Sequence, residues 1–165
     1  MTTTAIEYRQ RDYHNSEASP TAELRDGGEI RAYTYANYVV SPMLLWTGNA
    51  YIQYDSARVG YLAYTEAGFS AGPSIAFDAP VGEGNPWIFS PNAGLVYRSY
   101  DSPDPIVSLT EEEHDLELFI GADLTIPCKA NWALLAETEY RHVDSNYSTR
   151  DYDNLSISLS VVKSF

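Results

Sequence analysis

Apolar and polar side chains alternate along most of this chain, in segments of about ten residues separated by clusters of Pro, Gly, Asn, Asp and Ser. In one such segment, Leu116, Leu118 and Ile120 alternate with Glu117 and Phe119. Successive side chains of a β-strand point to opposite faces, whereas an amphipathic helix repeats every 3.6 residues. The pattern therefore predicts strands, each with one apolar and one polar face.

Eight segments carry this pattern, and together they predict an all-β chain with a single domain over residues 1–165. Their predicted bounds are 5–14, 28–41, 44–55, 59–77, 87–100, 114–126, 131–143 and 152–165. The connections after the second, fourth and sixth segments are short or moderate, and most of the others are longer and more polar. This spacing predicts an eight-stranded antiparallel up-and-down meander, with short turns at one end and long loops at the other.

Two predicted hairpins bring opposite charges together on the polar face. Centring the 4–5 hairpin on Gly82 places apolar residues opposite one another, and Glu66 then faces Arg98. Centring the 6–7 hairpin on Lys129 likewise places Glu117 opposite Arg141. Three more charged residues, Asp123, Glu137 and Glu139, share this polar face. Many of its other members are Gly or Ser, which favours a crowded polar interior.

Aromatic residues lie at both ends of the apolar face. Trp46, Trp87 and Trp132 each follow a short-end turn within a few residues, and tyrosines such as Tyr54 and Tyr140 end the apolar runs on the loop side. Amphipathic rings at both edges of an apolar band are typical of membrane interfaces. The alternative is a soluble β-barrel or sandwich, because Trp and Tyr are good strand residues in any sheet.

The final segment, YDNLSISLSVVKSF from Tyr152 to Phe165, resembles the last strand of bacterial outer-membrane β-barrels, which ends in an aromatic residue, usually Phe. The resemblance implies a transmembrane barrel with a polar interior and a lipid-facing exterior, located in the bacterial outer membrane. It implies the lipid bilayer and lipopolysaccharide as partners. It also implies that the assembly machinery of that membrane recognises the strand ending in Phe165.

Composition narrows the function classes. The net charge of -13 argues against a nucleic-acid partner, which needs clustered Lys and Arg. One cysteine, Cys128, allows neither an intrachain disulfide nor a multi-cysteine zinc site. No apolar run is long enough for a transmembrane helix. We expect no metal and no cofactor, since neither the histidines nor the acidic stretch 101–105 has ligand spacing.

An enzymatic function is the weaker hypothesis. Lipid A deacylases are outer-membrane enzymes of similar size, and the stretch from His142 to Asn146 resembles their His-x-Ser-Asn motif with one residue too many. That extra residue places His142 and Ser145 on opposite faces of a strand, which separates a base from its nucleophile.

The preferred hypothesis is a non-enzymatic outer-membrane barrel with a side-chain-filled lumen, which acts through its loops or by binding surface molecules and is not a general pore. The alternatives are a lipid A-modifying hydrolase of the same architecture and a soluble ligand-binding barrel. A further alternative is that the chain forms one piece of a larger barrel.

Overall fold

The computed structural model describes residues 1–80, 85–129 and 131–163, and six of the eight strands agree with their predicted bounds to within two residues at each end. The eight strands are β1 (Thr2–Arg11), β2 (Gly27–Ser41), β3 (Leu44–Asp55), β4 (Tyr64–Phe77), β5 (Trp87–Tyr100), β6 (His114–Pro127), β7 (Trp132–Ser145) and β8 (Tyr152–Lys163). Two short 3₁₀ segments, Ala22–Arg25 and Gly60–Leu62, lie in the connections. No helix in these ranges is long and apolar enough to cross a membrane.

The strands form one antiparallel sheet in the order β1 to β8, each paired with its neighbours in sequence. The predicted up-and-down meander is therefore confirmed. The sheet is not closed, because β1 pairs with β2 and β8 with β7, leaving one free edge on each strand. It curls nonetheless, since Arg11 of β1, Tyr64 of β4 and Tyr100 of β5 line a common cavity.

Two strands differ from their predicted bounds. The first strand, Thr2–Arg11, begins and ends three residues earlier than predicted. The fourth strand starts at Tyr64, five residues later than predicted, because Gly60–Leu62 forms a 3₁₀ turn. The predicted 4–5 register is confirmed, with Glu66 opposite Arg98, although the turn at Gly82 lies outside the described residues.

The predicted 6–7 register is wrong by two residues. Glu117 pairs with Val143 and not with Arg141, which lies opposite Phe119. The predicted turn is centred on Lys129, and the observed turn extends further. Cys128 N donates to Trp132 O at 2.7 Å, and Asn131 adopts a φ of 62°. A shift of two residues keeps every side chain on its predicted face.

Polar side chains are buried in this sheet and large apolar ones are exposed. On β6, Asp115 and Glu117 are 7% and 8% exposed, whereas Leu118 and Ile120 are 47% and 61% exposed. The face that carries the charges lies inside the curl of the sheet, and the apolar face lies outside. We call these the inner face and the outer face. This is the reverse of a soluble antiparallel sheet, whose apolar face packs inward.

Aromatic rings pack against glycines on the inner face. Phe119 lies beside its cross-strand partner Gly94, and Tyr51 lies beside Gly68 in the same way. A Cβ on Gly94 would lie 2.4 Å from Phe119 Cζ and 2.5 Å from the Phe69 carbonyl oxygen. The glycines thus provide the space that large rings need inside a narrow sheet, and the rings cover backbone that glycine leaves bare.

We predict that Gly94→Ala destabilises the protein by about 1–3 kcal/mol, because the added methyl group meets both a ring and backbone. Gly48→Ala is the matched control, since a Cβ there meets nothing closer than 3.8 Å. Urea unfolding of the refolded variants measures both effects. Equal unfolding midpoints for the two variants would mean that the ring does not occupy the space beside Gly94.

Candidate functional site

Glu66 is the centre of the first charged group on the inner face. Its carboxylate accepts a hydrogen bond from Arg98 Nε at 2.8 Å and another from the Tyr51 hydroxyl at 2.7 Å. The Arg31 guanidinium lies 4.3 Å from the centre of the Tyr51 ring. Glu66 is only 6% exposed. Its buried carboxylate is stabilised by two hydrogen-bond donors, the cationic Arg98 and the neutral Tyr51.

Arg141 organises the second group. It contacts the Glu117 carboxylate and donates to Glu139 Oε1 at 2.9 Å, while its guanidinium lies 5.5 Å from the centre of the Phe119 ring. The pair of Glu117 and Arg141 predicted from the sequence therefore forms, although the residues are diagonal and not directly opposite. Long arginine side chains reach diagonal neighbours across a sheet.

The remaining predicted inner-face charges form no ion pair with an arginine of the described residues. Asp123 and Glu137 lie directly opposite one another on β6 and β7, and the Ser158 hydroxyl donates to Glu137 at 2.7 Å. Two carboxylates in opposite positions repel each other. The predicted charge network is thus two arginine-centred groups and one carboxylate pair, all on the same face.

A further charged group lies on β1 to β3 and was not predicted. Arg11 contacts Asp55, which is 3% exposed, and reaches Glu29 at 4.0 Å. Apolar and polar residues alternate less regularly in β1 and β2 than in the later strands. The sequence alone therefore does not define which side chains of these two strands lie on the inner face. The alternating positions of Glu7, Arg9 and Arg11 are the signal that identifies it.

The loops after β5 and β7 are fastened together over one end of the inner face. Arg150 reaches Asp104 at 3.4 Å and Glu113 at 3.8 Å. The buried Tyr147 hydroxyl accepts from Asp104 N at 3.3 Å and donates to the Glu111 carbonyl. Burial raises the pKa of Glu113 above its ordinary value, although the Arg150 guanidinium opposes this shift. We call this assembly the loop cap.

Two small cavities lie beneath the loop cap and share Tyr100 and Arg150. The first has a volume of about 120 Å³. Its polar lining residues are Arg98, Tyr100, Glu113, Asp115, Glu117, Arg150 and Tyr152. The second, of about 220 Å³, includes Arg11, Arg25, Asp55 and four tyrosines. Arg150, which lines both cavities, forms an ion pair with Asp104 of the acidic stretch 101–105.

Aromatic side chains border the apolar outer face at both ends. Trp46 and Trp132 are 46% and 42% exposed, Trp87 packs against Phe77 with ring centres 6.2 Å apart, and the Lys163 ammonium lies 5.2 Å from the Trp132 ring. Phe165 lies outside the described residues.

At the loop end of the same face, tyrosine hydroxyls have polar partners. Tyr54 donates to Asp101 at 2.8 Å, and Tyr140 donates to Asp153 at 2.6 Å. Tyr61 is not part of this group of tyrosines, because it lies in the 3₁₀ turn Gly60–Leu62 and lines the second cavity. Amphipathic residues thus mark two levels on the outer face, with apolar side chains between them.

The structure does not bring His142 and Ser145 together. His142 is on the outer face, where Nδ1 lies 2.9 Å from Asp153 Oδ1. Ser145 is buried on the inner face, and its hydroxyl oxygen accepts a hydrogen bond from Tyr147 N at 3.1 Å. This arrangement holds a loop in place and provides no contact between a base and a nucleophile.

Among residues 1–80, 85–129 and 131–163, no three His, Cys, Asp or Glu side chains converge as metal ligands. No protein-family model, no curated protein and no solved structure matches the chain. The function must therefore be inferred from the geometry of the two faces.

We predict that Glu66→Gln destabilises the protein by about 3–5 kcal/mol, because it leaves Arg98 partly buried without its counter-charge. Glu139→Gln is the control and should cost less than about 1 kcal/mol, since its side chain is 37% exposed. A double-mutant cycle with Arg98→Met should give a coupling energy of about 0.5–3 kcal/mol in urea unfolding. Coupling near zero would show that the pair adds nothing to stability.

Proposed function

We propose that this chain is a small membrane-spanning β-barrel of a bacterial outer membrane, with a side-chain-filled polar lumen and a loop cap that contacts surface molecules. The observation that carries the proposal is the reversal of the two faces. Carboxylates such as Glu66 and Glu117 are less than one tenth exposed, whereas apolar side chains on alternating positions are open. A bilayer is the environment that would cover such an apolar surface.

The height of the apolar band supports the same proposal. Trp46 and Tyr54 bound it on β3, and at about 3.3 Å per residue they are about 27 Å apart along the strand. Trp87 and Tyr97 bound it on β5 and are about 33 Å apart. With strands tilted by about 40°, the band is about 20–25 Å tall, which matches the hydrocarbon belt of outer-membrane barrels.

We further propose that β1 and β8 pair in the membrane and close the barrel. A row of paired residues that starts at Thr4, near the beginning of β1, ends at Asp153, at the loop end of β8. Closure therefore needs a stagger, as in every barrel with tilted strands. An even stagger of about ten residues keeps both apolar faces outside and pairs the loop end of β8 with the loop end of β1.

Charge complementarity supports this stagger. It would place Arg9 opposite Ser158, whose other neighbour is Glu137. Arg9 forms no ion pair in the described part of the chain, and Glu137 faces only Asp123 and Ser158. Closure would thus bring an arginine next to the carboxylate pair that lacks one, and it would satisfy the open backbone edges that lipid cannot.

The proposed role lies at the loop end and not in conduction. Rings of Tyr51 and Phe119 and the arginines stacked on them occupy part of the inner face between the two ends of the sheet. Eight strands leave an interior just wide enough for side chains. The loop cap is the part that would meet lipopolysaccharide or a protein partner. The separation of His142 from Ser145 gives no support to the hydrolase alternative.

We predict that Ile120→Arg lowers the stability of the protein in phospholipid vesicles by about 2–4 kcal/mol, because Ile120 lies inside the apolar run of β6, away from both ends of the strand. Leu116→Arg, at the loop end of the same strand and face, should cost only about 0–1 kcal/mol. Guanidinium unfolding from vesicles measures both. If the outer face met water and not lipid, both positions would be solvated, so equal and small effects would contradict the membrane proposal.

Closure predicts a disulfide between Glu7→Cys and Ser160→Cys in a Cys128→Ser background, since a stagger of about ten residues makes them direct neighbours. The matched control pairs Glu7→Cys with Ser158→Cys, which is two residues out of register. Oxidation in vesicles should join the first pair within one chain and leave the second mostly free. Crosslinks between chains would instead mean that the edges pair with a second copy.

A further inference from the structure

The buried charges of the inner face do not balance. Within the described residues, six carboxylates are at most 9% exposed, namely Asp55, Glu66, Asp104, Glu113, Asp115 and Glu117. Four arginines form ion pairs with them, namely Arg11, Arg98, Arg141 and Arg150. A fifth, Arg31, lies over the Tyr51 ring, so these arginines are still fewer than the six carboxylates. A buried carboxylate without a cation is costly, so the excess negative charge needs a positive group or protons from elsewhere.

The excess is located at the first cavity beneath the loop cap. Asp115 is 7% exposed, its Oδ1 atom has no hydrogen-bond partner among the described residues, and Oδ2 lies 3.9 Å from Arg98 Nη1. Arg98 is committed to Glu66, to which its Nε atom donates at 2.8 Å. Asp115 therefore offers a free carboxylate oxygen in a cavity of about 120 Å³.

Glu113 is in a similar position on the same wall. Its nearest cation, Arg150 Nε, lies 3.8 Å away, which is too long for a hydrogen bond, and Arg150 also serves Asp104. Burial raises the pKa of Glu113, and the neighbouring carboxylates of Asp115 and Asp104 raise it further. Tyr100 and Tyr152 add aromatic rings to the lining.

We propose that this cavity binds a primary ammonium group, with Asp115 Oδ1 as its main acceptor and Glu113 as the second. An ammonium group carries one positive charge and three donors. That suits Asp115 Oδ1, which has no hydrogen-bond partner among the described residues, and Glu113, which lies 3.8 Å from Arg150 Nε. Aromatic rings attract such a cation through their faces. The cavity is smaller than the ~150 Å³ that holds benzene, so it admits methylammonium or the end of an alkylamine.

An ammonium group also fits better than a metal ion. No three carboxylate or imidazole side chains of the described residues converge in ligand geometry here. Calcium needs six to eight oxygen ligands, whereas an ammonium group needs only two or three acceptors. The partly exposed side chains of Arg150 and Tyr152 at the cavity give a ligand access from the loop end.

The test uses the refolded full chain in detergent micelles and measures its urea unfolding midpoint in methylammonium chloride. A ligand that binds only the folded protein raises the midpoint in a saturable way. Tetramethylammonium and sodium chlorides at the same concentration control for ionic strength, because the first has no N–H donors and the second is a bare ion. We expect a saturable rise with methylammonium alone. An equal rise with all three salts would overturn the proposal.

Asp115→Asn removes the proposed acceptor and should weaken methylammonium binding at least tenfold, while leaving the midpoint in plain buffer unchanged or higher. Asp123→Asn is the matched control on the same strand and face, and it should keep the full response because Asp123 lines a different cavity. A full response in Asp115→Asn would also contradict the site.

A spectroscopic measurement keeps the proposal testable if Asp115→Asn does not fold. Methylammonium bound to the wild-type protein should show nuclear Overhauser contacts to the ring protons of Tyr100 and Tyr152, and Glu113→Gln should weaken its binding several-fold. Contacts to other tyrosines only would place the cation elsewhere. Both experiments are made in micelles, so their failure is independent of the vesicle and crosslinking results that test the barrel.

Discussion

The need to neutralise charges buried inside the sheet governs the rest of this structure. Arg11, Arg98 and Arg141 on the inner face contact carboxylates from their own or neighbouring strands, and Arg98 and Arg141 also lie over an aromatic ring. Glu66 is the clearest case, because it binds Arg98 from β5 and Tyr51 from β3 at once. Such contacts fix neighbouring strands relative to one another, as an apolar core does in a soluble sheet.

The same constraint explains the glycines and the loop cap. Rings and guanidinium groups fit inside a narrow curl only where their neighbours are small, as Gly94 is beside Phe119 and Gly68 is beside Tyr51. At the loop end, Arg150 extends the ion pairs beyond the strands to Asp104 and Glu113. The inner face therefore continues into a fastened cap, and the cavity with the excess negative charge lies where the two meet.

Alternation predicts the strands and their faces from the sequence because both depend on neighbouring residues. The 4–5 register was also predictable, since Phe77 and Trp87 are a large apolar pair that leaves no ambiguity. The 6–7 register depended on the width of a turn, and a two-residue error preserved every face while making Arg141 and Glu117 diagonal. The predicted interior charges were consequently placed on the correct face.

Other features depend on contacts between distant parts of the chain and leave little local signal. The loop cap joins Asp104 to Arg150, and the cavity at Asp115 exists only because that cap covers it. The early strands were harder because their outer face includes polar residues such as Thr4 and Gln10, although Glu7, Arg9 and Arg11 alternate on the inner face. The proposed closure between β1 and β8 also has no local signal, because it would join the two ends of the sequence.

The central claim is that the apolar face of the sheet meets lipid and the charged face is enclosed. Nitroxide labels placed singly at successive positions of β8 in vesicles test it directly, because this strand is exposed on both faces in the open sheet. We expect labels at Ile157 and Leu159 to be accessible to oxygen dissolved in the bilayer, and labels at Ser156 and Ser158 to be shielded from it. Equal accessibility at all four positions, or accessibility to a water-soluble relaxant at Ile157 and Leu159, would contradict the account.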